Sequence, residues 1–293
     1  MRTIVMIVFM LSSSFTGTAQ TFDWWAHLVH WDGVSEWPKY MITQAKFMGP
    51  NALPVPHISN GSIDSVSSIG ATGSFHFSGG DHTQNLTLYA NYCLVKNVIS
   101  LDASWIPYEH FSMTHTTKEA RHVFSYFYYD THATGDVILN TNIQILNKWR
   151  KAIEMAVRIG YRFPTGNELG AARYTDGPGY YFDVSAGKPF SNSRFKWISM
   201  LGFYSWQMIN LNRRQDDAFL FGTGMEWNGK QVKVQAYVAG YTGYINEGDK
   251  PLVARIHVEK RTKRITFITS MQQGLHDFKY TTIETGAVVN LKI

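Results

Sequence analysis

The chain has 293 residues, a net charge of +5 and 15% aromatic residues, yet its mean hydropathy is only -0.19. No stretch supplies the roughly 18 uncharged apolar residues that a membrane-spanning helix needs, so a helical anchor is excluded. Cys93 is the only cysteine, which excludes an internal disulfide, and without a basic stripe nucleic acid is not expected as a partner.

In chain order, Arg2 precedes an apolar run from Ile4 to Leu11, then Gly17, Thr18 and Ala19 stand before Gln20. This order of charged, apolar and small residues predicts a cleaved secretory signal over 1–19 and so export into the envelope. Residues 20–62 read differently: Trp24, Trp25, Trp31 and Trp37 are followed by Pro50, Asn51, Pro54 and Pro56. The prolines exclude a regular helix or central strand there. An extended, Trp-rich segment ahead of a barrel either enters the lumen as a plug or lies across the periplasmic mouth.

From residue 63 to 293 the dominant signal is alternation with a period of two, the mark of strands with one apolar face. Ile153, Met155, Val157, Ile159, Tyr161 and Phe163 alternate with Glu154, Ala156, Arg158, Gly160 and Arg162. Val232, Val234, Ala236 and Val238 alternate with Lys233, Gln235 and Tyr237; Leu252, Ala254, Ile256 and Val258 alternate with Arg255, His257 and Glu259. Further strands are expected near 65–77, 86–95, 98–105, 136–146, 180–187, 195–208, 218–227 and 265–271, and a last one over 283–293 carries Glu284 on its polar face. The fold class is therefore all-β, an antiparallel up-and-down transmembrane barrel of about twelve strands, or as many as about fourteen if 108–135 hides a hairpin.

Connections near 96–97, 147–150, 190–193, 228–230 and 261–263 are short, whereas 108–135, 164–179, 210–217, 246–251 and 272–279 are longer, with 79–81 the exception. This rhythm of short periplasmic turns and long outer loops belongs to bacterial outer-membrane barrels. Trp105, Tyr161, Phe163, Tyr180, Phe182, Trp206, Trp227, Tyr241 and Tyr244 lie near strand ends and are expected to form interfacial girdles. The final residue is Ile293, where such barrels often end on an aromatic that the barrel-assembly machinery recognises.

The stretch from Gly135-Asp136 through Pro164-Thr165-Gly166 to Gly177–Tyr181 resembles the outer-membrane transporter-like family named for meta-pathway phenol degradation. The resemblance implies passage of small aromatic or hydrophobic compounds. The proline-bearing N-terminal segment resembles, more distantly, the plug of long-chain fatty acid transporters.

Glu154, Arg158, Arg162, Lys233, Arg255, His257, Glu259 and Glu284 share the polar faces and are expected in the lumen, either as a charged constriction that selects solutes or as a supporting ion-pair network. Trp24, Trp25, Trp31, Trp37, Asn51, Pro54 and Pro56 are the plug candidates. No Gly-x-Ser-x-Gly elbow occurs, so no catalytic residue is expected, although a lipid hydrolase stays the enzymatic alternative. His27 and His30 lack the further ligands of a metal site, and neither a metal nor another cofactor is expected. The sequons at Asn60 and Asn85 are read as chance. The functional expectation is a channel or uptake protein for small solutes, in contact with outer-membrane lipid and with the assembly machinery; the alternative is a structural or assembly barrel with a blocked lumen.

Overall fold

The computed structural model describes residues 23–149, 153–191, 193–209 and 213–291. The expected signal segment lies outside the described residues. Among them, two short α-helices, α1 (Asp23–Val29) and α2 (His115–Ala120), and two 3-10 turns (Trp37–Tyr40 and Leu169–Ala171) precede or interrupt the strands, and no helix is long and apolar enough to cross a membrane.

Thirteen strands follow the N-terminal segment: β1 (Ser68–Ser78), β2 (Asp81–Val95), β3 (Ile99–Met113), β4 (Asp130–Ala133), β5 (Val137–Trp149), β6 (Ile153–Phe163), β7 (Gly179–Pro189), β8 (Phe195–Gln207), β9 (Gln215–Asn228), β10 (Val232–Gly243), β11 (Leu252–Arg261), β12 (Ile265–His276) and β13 (Thr281–Asn290). Each pairs antiparallel with its sequence neighbour, except that β3 pairs with both β4 and β5. The ring closes where β1 meets β13 in unbroken register from Ser68 opposite Asn290 to Phe77 opposite Thr281. The four-residue β4 hangs on the rim against the end of β3. A closed barrel of twelve strands results, with no extra hairpin in its wall.

Closure leaves the twelve-stranded ring without an unpaired edge, which a sheet in hydrocarbon requires. The alternation expected from the sequence appears as an oily exterior and a packed interior. On β8, Leu201 is 59% exposed while Ile198 and Met200 are fully buried, and on β11 Ile256 is 51% exposed while Val253 is fully buried. Strand β3 departs from simple parity. Ile106 and Pro107 form a bulge, because Trp105 pairs with Leu88 and Tyr108 pairs with Leu86. The inward face therefore switches from Ser100 to Glu109 and Phe111, and β3 runs eight residues past its expected end at Trp105.

The girdle expectation needs a correction. Trp105, Tyr161, Phe163, Tyr180 and Phe182 do point outward near the long-loop end, and Phe190, Phe195 and Trp197 do so near the short turns. Trp206 and Tyr241, however, are fully buried and face the lumen, packed on Tyr204 at 5.2 and 5.1 Å. Nearness to a strand end did not decide their side; strand parity did, since Trp206 shares a face with Ile198 and Met200.

Candidate functional site

The N-terminal segment starts at the long-loop end, not on the short-turn side. Trp25 donates from its indole to the His122 carbonyl at 2.9 Å, and Trp37 stacks on Phe124 at 4.4 Å, so both rest on the connection between α2 and β4. Trp24 lies 4.7 Å from Tyr126 in that connection, and Trp31 meets Trp25 edge-on at 5.7 Å. From residue 41 the chain runs down the lumen. Trp206 donates to the Thr43 carbonyl at 3.2 Å, Tyr241 to that of Leu53 at 3.0 Å, and Arg255 to those of Val55 and Pro56 at 2.7 and 3.3 Å. Prolines suit this path, because a chain without a strand ladder loses nothing by lacking N–H groups, and lumen side chains bind its free carbonyls. Pro54 and Pro56 thus hold an extended backbone that Tyr241 and Arg255 grip.

At the lower end the segment presses directly on the wall. Gly61 adopts φ +81°, and a Cβ there would come within 2.4 Å of the Glu154 carbonyl oxygen. A Cβ on Gly187 would meet the Asn60 carbonyl oxygen at 2.0 Å. Both glycines are required by close backbone approach.

The upper lumen is filled by charge. The loop between β6 and β7 folds inward, and Arg173, fully buried, donates to Asp81 at 2.8 Å, to Glu109 at 2.7 Å and to Thr83 at 2.8 Å. Arg121 also pairs with Asp81, while Tyr280 donates to it at 2.8 Å. Glu109 further accepts from Tyr174 at 2.6 Å and from Asn51 of the N-terminal segment at 2.7 Å. Two carboxylates thus face two guanidiniums, with the remaining lone pairs satisfied, as charges sealed from water require. None of Asp81, Glu109, Arg121 or Arg173 was singled out from the sequence. Glu109 was hidden by the bulge, and Arg173 sits in a Gly-rich loop that carries no alternation.

All eight polar-face candidates point inward, but they do not form one constriction. Arg162 belongs to the upper lumen, paired with Asp136 and donating to Thr175 at 2.8 Å. Arg255 holds the N-terminal segment. Glu154, near the short turns, pairs with Lys196 and accepts from Ser62 at 2.6 Å. The other five line a chamber of about 710 Å³ that reaches the short-turn end, where Arg261 and Asn290 also line it. Within it Arg158 pairs with Asp183 at 2.7 Å and donates to the His57 carbonyl at 2.9 Å, and Glu259 holds Lys233 and, at 2.9 Å, Arg261. Glu284 accepts from Thr72 and Ser74, both at 3.2 Å, and Asp102 accepts from Asn140 and Asn142 at 2.5 and 2.6 Å. Among the described residues, neither Glu284, Asp102 nor Asp64, a third chamber carboxylate, has a cation within 4 Å. The chamber lining therefore holds five carboxylates against the three side chains Arg158, Lys233 and Arg261. His57 looks into it from the N-terminal segment, its ring 2.9 Å from the Tyr237 hydroxyl; the charge of Arg255 first, then the nearby His257 and Arg158, hold its pKa well below the usual histidine value.

His257 lies 3.1 Å from Ser270 Oγ through Nδ1 and 3.4 Å from Glu259 through Nε2, which brings together three residue types used for acyl transfer. Among the described residues, β11 and β12 are paired on both sides in these registers.

The closed twelve-stranded wall, oily outside and charged inside, defines the outer-membrane β-barrel class. An outer-membrane channel from Pseudomonas putida F1 has a similar structure: TM-score 0.55 at 10% identity, covering 81% of this chain and 100% of that one. The CymD monoaromatic hydrocarbon channel aligns at TM-score 0.40 and 9% identity over 79% of this chain and 90% of its own. The translocator domain of the autotransporter NalP from Neisseria meningitidis gives 0.43 and 9%, over 78% and 87%. Identities this low carry the fold alone. No family model and no curated relative matches the chain.

Proposed function

We propose that the protein is an outer-membrane channel or uptake protein for small solutes, aromatic and hydrophobic ones included, with the N-terminal segment as its plug. The observation that carries this reading is the 710 Å³ chamber inside a wall whose outer face suits lipid. A cavity of this size is in the range of small-molecule sites. Its surplus of carboxylates and its ring of hydroxyl and amide groups favour cationic or hydroxyl-bearing solutes and disfavour carboxylates. Passage requires the plug or the inward loop at 164–178 to move, because the upper lumen is packed.

Planar-bilayer conductance of the purified barrel, before and after deletion of residues 20–61, tests this reading. The expected result is low conductance in the intact protein and a larger, cation-preferring conductance in the deleted form, with heat-modifiable migration as the check that the barrel has folded. Silence in both folded forms contradicts transport. It would establish the alternative, a structural or assembly barrel, which the packed ion network of the upper lumen favours.

A further inference from the structure

Three separate parts of the chain meet near the long-loop end around a pair of buried acids. Asp216 stands at the start of β9 and Asp249 in the connection between β10 and β11; they are 2% and 0% exposed. Both Oδ2 atoms lie within 2.8 Å of the point where a Cβ on Gly243 would stand, so the two carboxylates are neighbours. Asp216 accepts from the Tyr244 amide at 3.1 Å and from the side-chain amide of Gln44, on the N-terminal segment, at 3.0 Å. Asp249 Oδ2 accepts from the Asn246 amide at 2.8 Å. Among the described residues no Lys, Arg or His lies within 4 Å of either carboxylate, whereas Asp136 has Arg162 and Asp81 has Arg173.

Two buried like charges without a cation are costly. A proton shared between them relieves the repulsion but leaves two other atoms unanswered. Asp249 Oδ1 is buried with no partner, and so is Oε1 of Gln44, whose amide already touches Asp216. Every unmet group here is an oxygen acceptor. Oxygen acceptors of this kind are what a hard cation binds, since Ca²⁺ takes about six to eight oxygen ligands in flexible geometry, with water completing the shell. We infer that Asp216, Asp249 and Gln44 form a divalent-cation site, selective for Ca²⁺, that pins the N-terminal segment to β9 and to the connection after β10. The site is independent of what the channel carries.

The test uses the full-length protein folded in detergent and stripped with a chelator. Trp206 is the cross-strand partner of Asp216, so bound Tb³⁺ is expected to luminesce on tryptophan excitation and to be displaced by Ca²⁺. Added Ca²⁺ should raise the thermal unfolding midpoint by several degrees, because a ligand that binds only the folded state stabilises it. Asp249→Asn should weaken Ca²⁺ binding at least tenfold. The double variant Asp216→Asn/Asp249→Asn should lose both responses yet, in chelator, be at least as stable as the parent, because its repulsion is gone. Wild-type protein indifferent to Ca²⁺ and Mg²⁺ overturns the proposal and leaves a shared proton as the explanation. A Ca²⁺ response that survives in the double variant overturns it equally.

Discussion

Arg173 ties the inward loop between β6 and β7 to the wall of the upper lumen. Its guanidinium bridges Asp81 on β2 and Glu109 on β3 and lies 4.4 Å from the Phe111 ring. Arg173→Met preserves much of the volume but leaves Glu109 without a cation, and a broken buried pair costs about 3–5 kcal/mol. The expected outcome is a lower unfolding midpoint in detergent together with new protease cleavage in the 164–178 loop. His57 carries a pH signature. Its folded-state pKa lies below the unfolded value, so the unfolded segment binds more protons as pH falls through the ordinary histidine range near 6.5. The stability it contributes is present above that range and is lost as pH falls through it. Arg255, Arg158, His257 and Tyr237 face it. Acidification from pH 7 to 5 should therefore loosen the segment, read as faster proteolysis between residues 50 and 62, and His57→Gln should flatten the response.

At the scale of elements, the wall and the segment make separate demands. Leu201 sits midway along β8 on the lipid face, and Leu201→Lys is expected to cost about 2–4 kcal/mol in bilayer folding titrations. Gly187→Val should instead leave the barrel folded and displace the segment near Asn60, since any Cβ at that position collides with its carbonyl. Limited proteolysis near residue 60 separates the two effects. The strands were legible because a period of two with a charged face is a local signal: residues 153–163 and 252–259 show it without any knowledge of their partners. The inner placement of Arg158, Lys233 and Glu284 followed from parity alone. What parity missed were places where it breaks or does not apply. The bulge at Ile106–Pro107 moved Glu109 to the inside, the loop residues Arg173 and Asp249 turn inward without any periodicity, and the path of 41–62 is set by side chains from distant strands such as Tyr241 and Arg255.

At the scale of the whole molecule, the barrel is a two-sided wall around a lumen divided into three levels: an aromatic cap on the long loops, a packed ionic layer, and a carboxylate-rich chamber reaching the short turns. The first two levels are joined to the segment that threads them, so in the proposed channel that segment must move to open the third. The division rests on one physical claim, that alternate residues of each strand face lipid and water. Cysteine substitution in a Cys93→Ser background, with the protein in lipid vesicles and a membrane-impermeant maleimide on both sides, tests it most directly. Asn142→Cys and Lys233→Cys line the chamber and should label rapidly, while Leu139→Cys and Ile256→Cys, on the outer face of neighbouring positions, should stay protected. Equal labelling of both sets would contradict the two-sided wall and everything built on it.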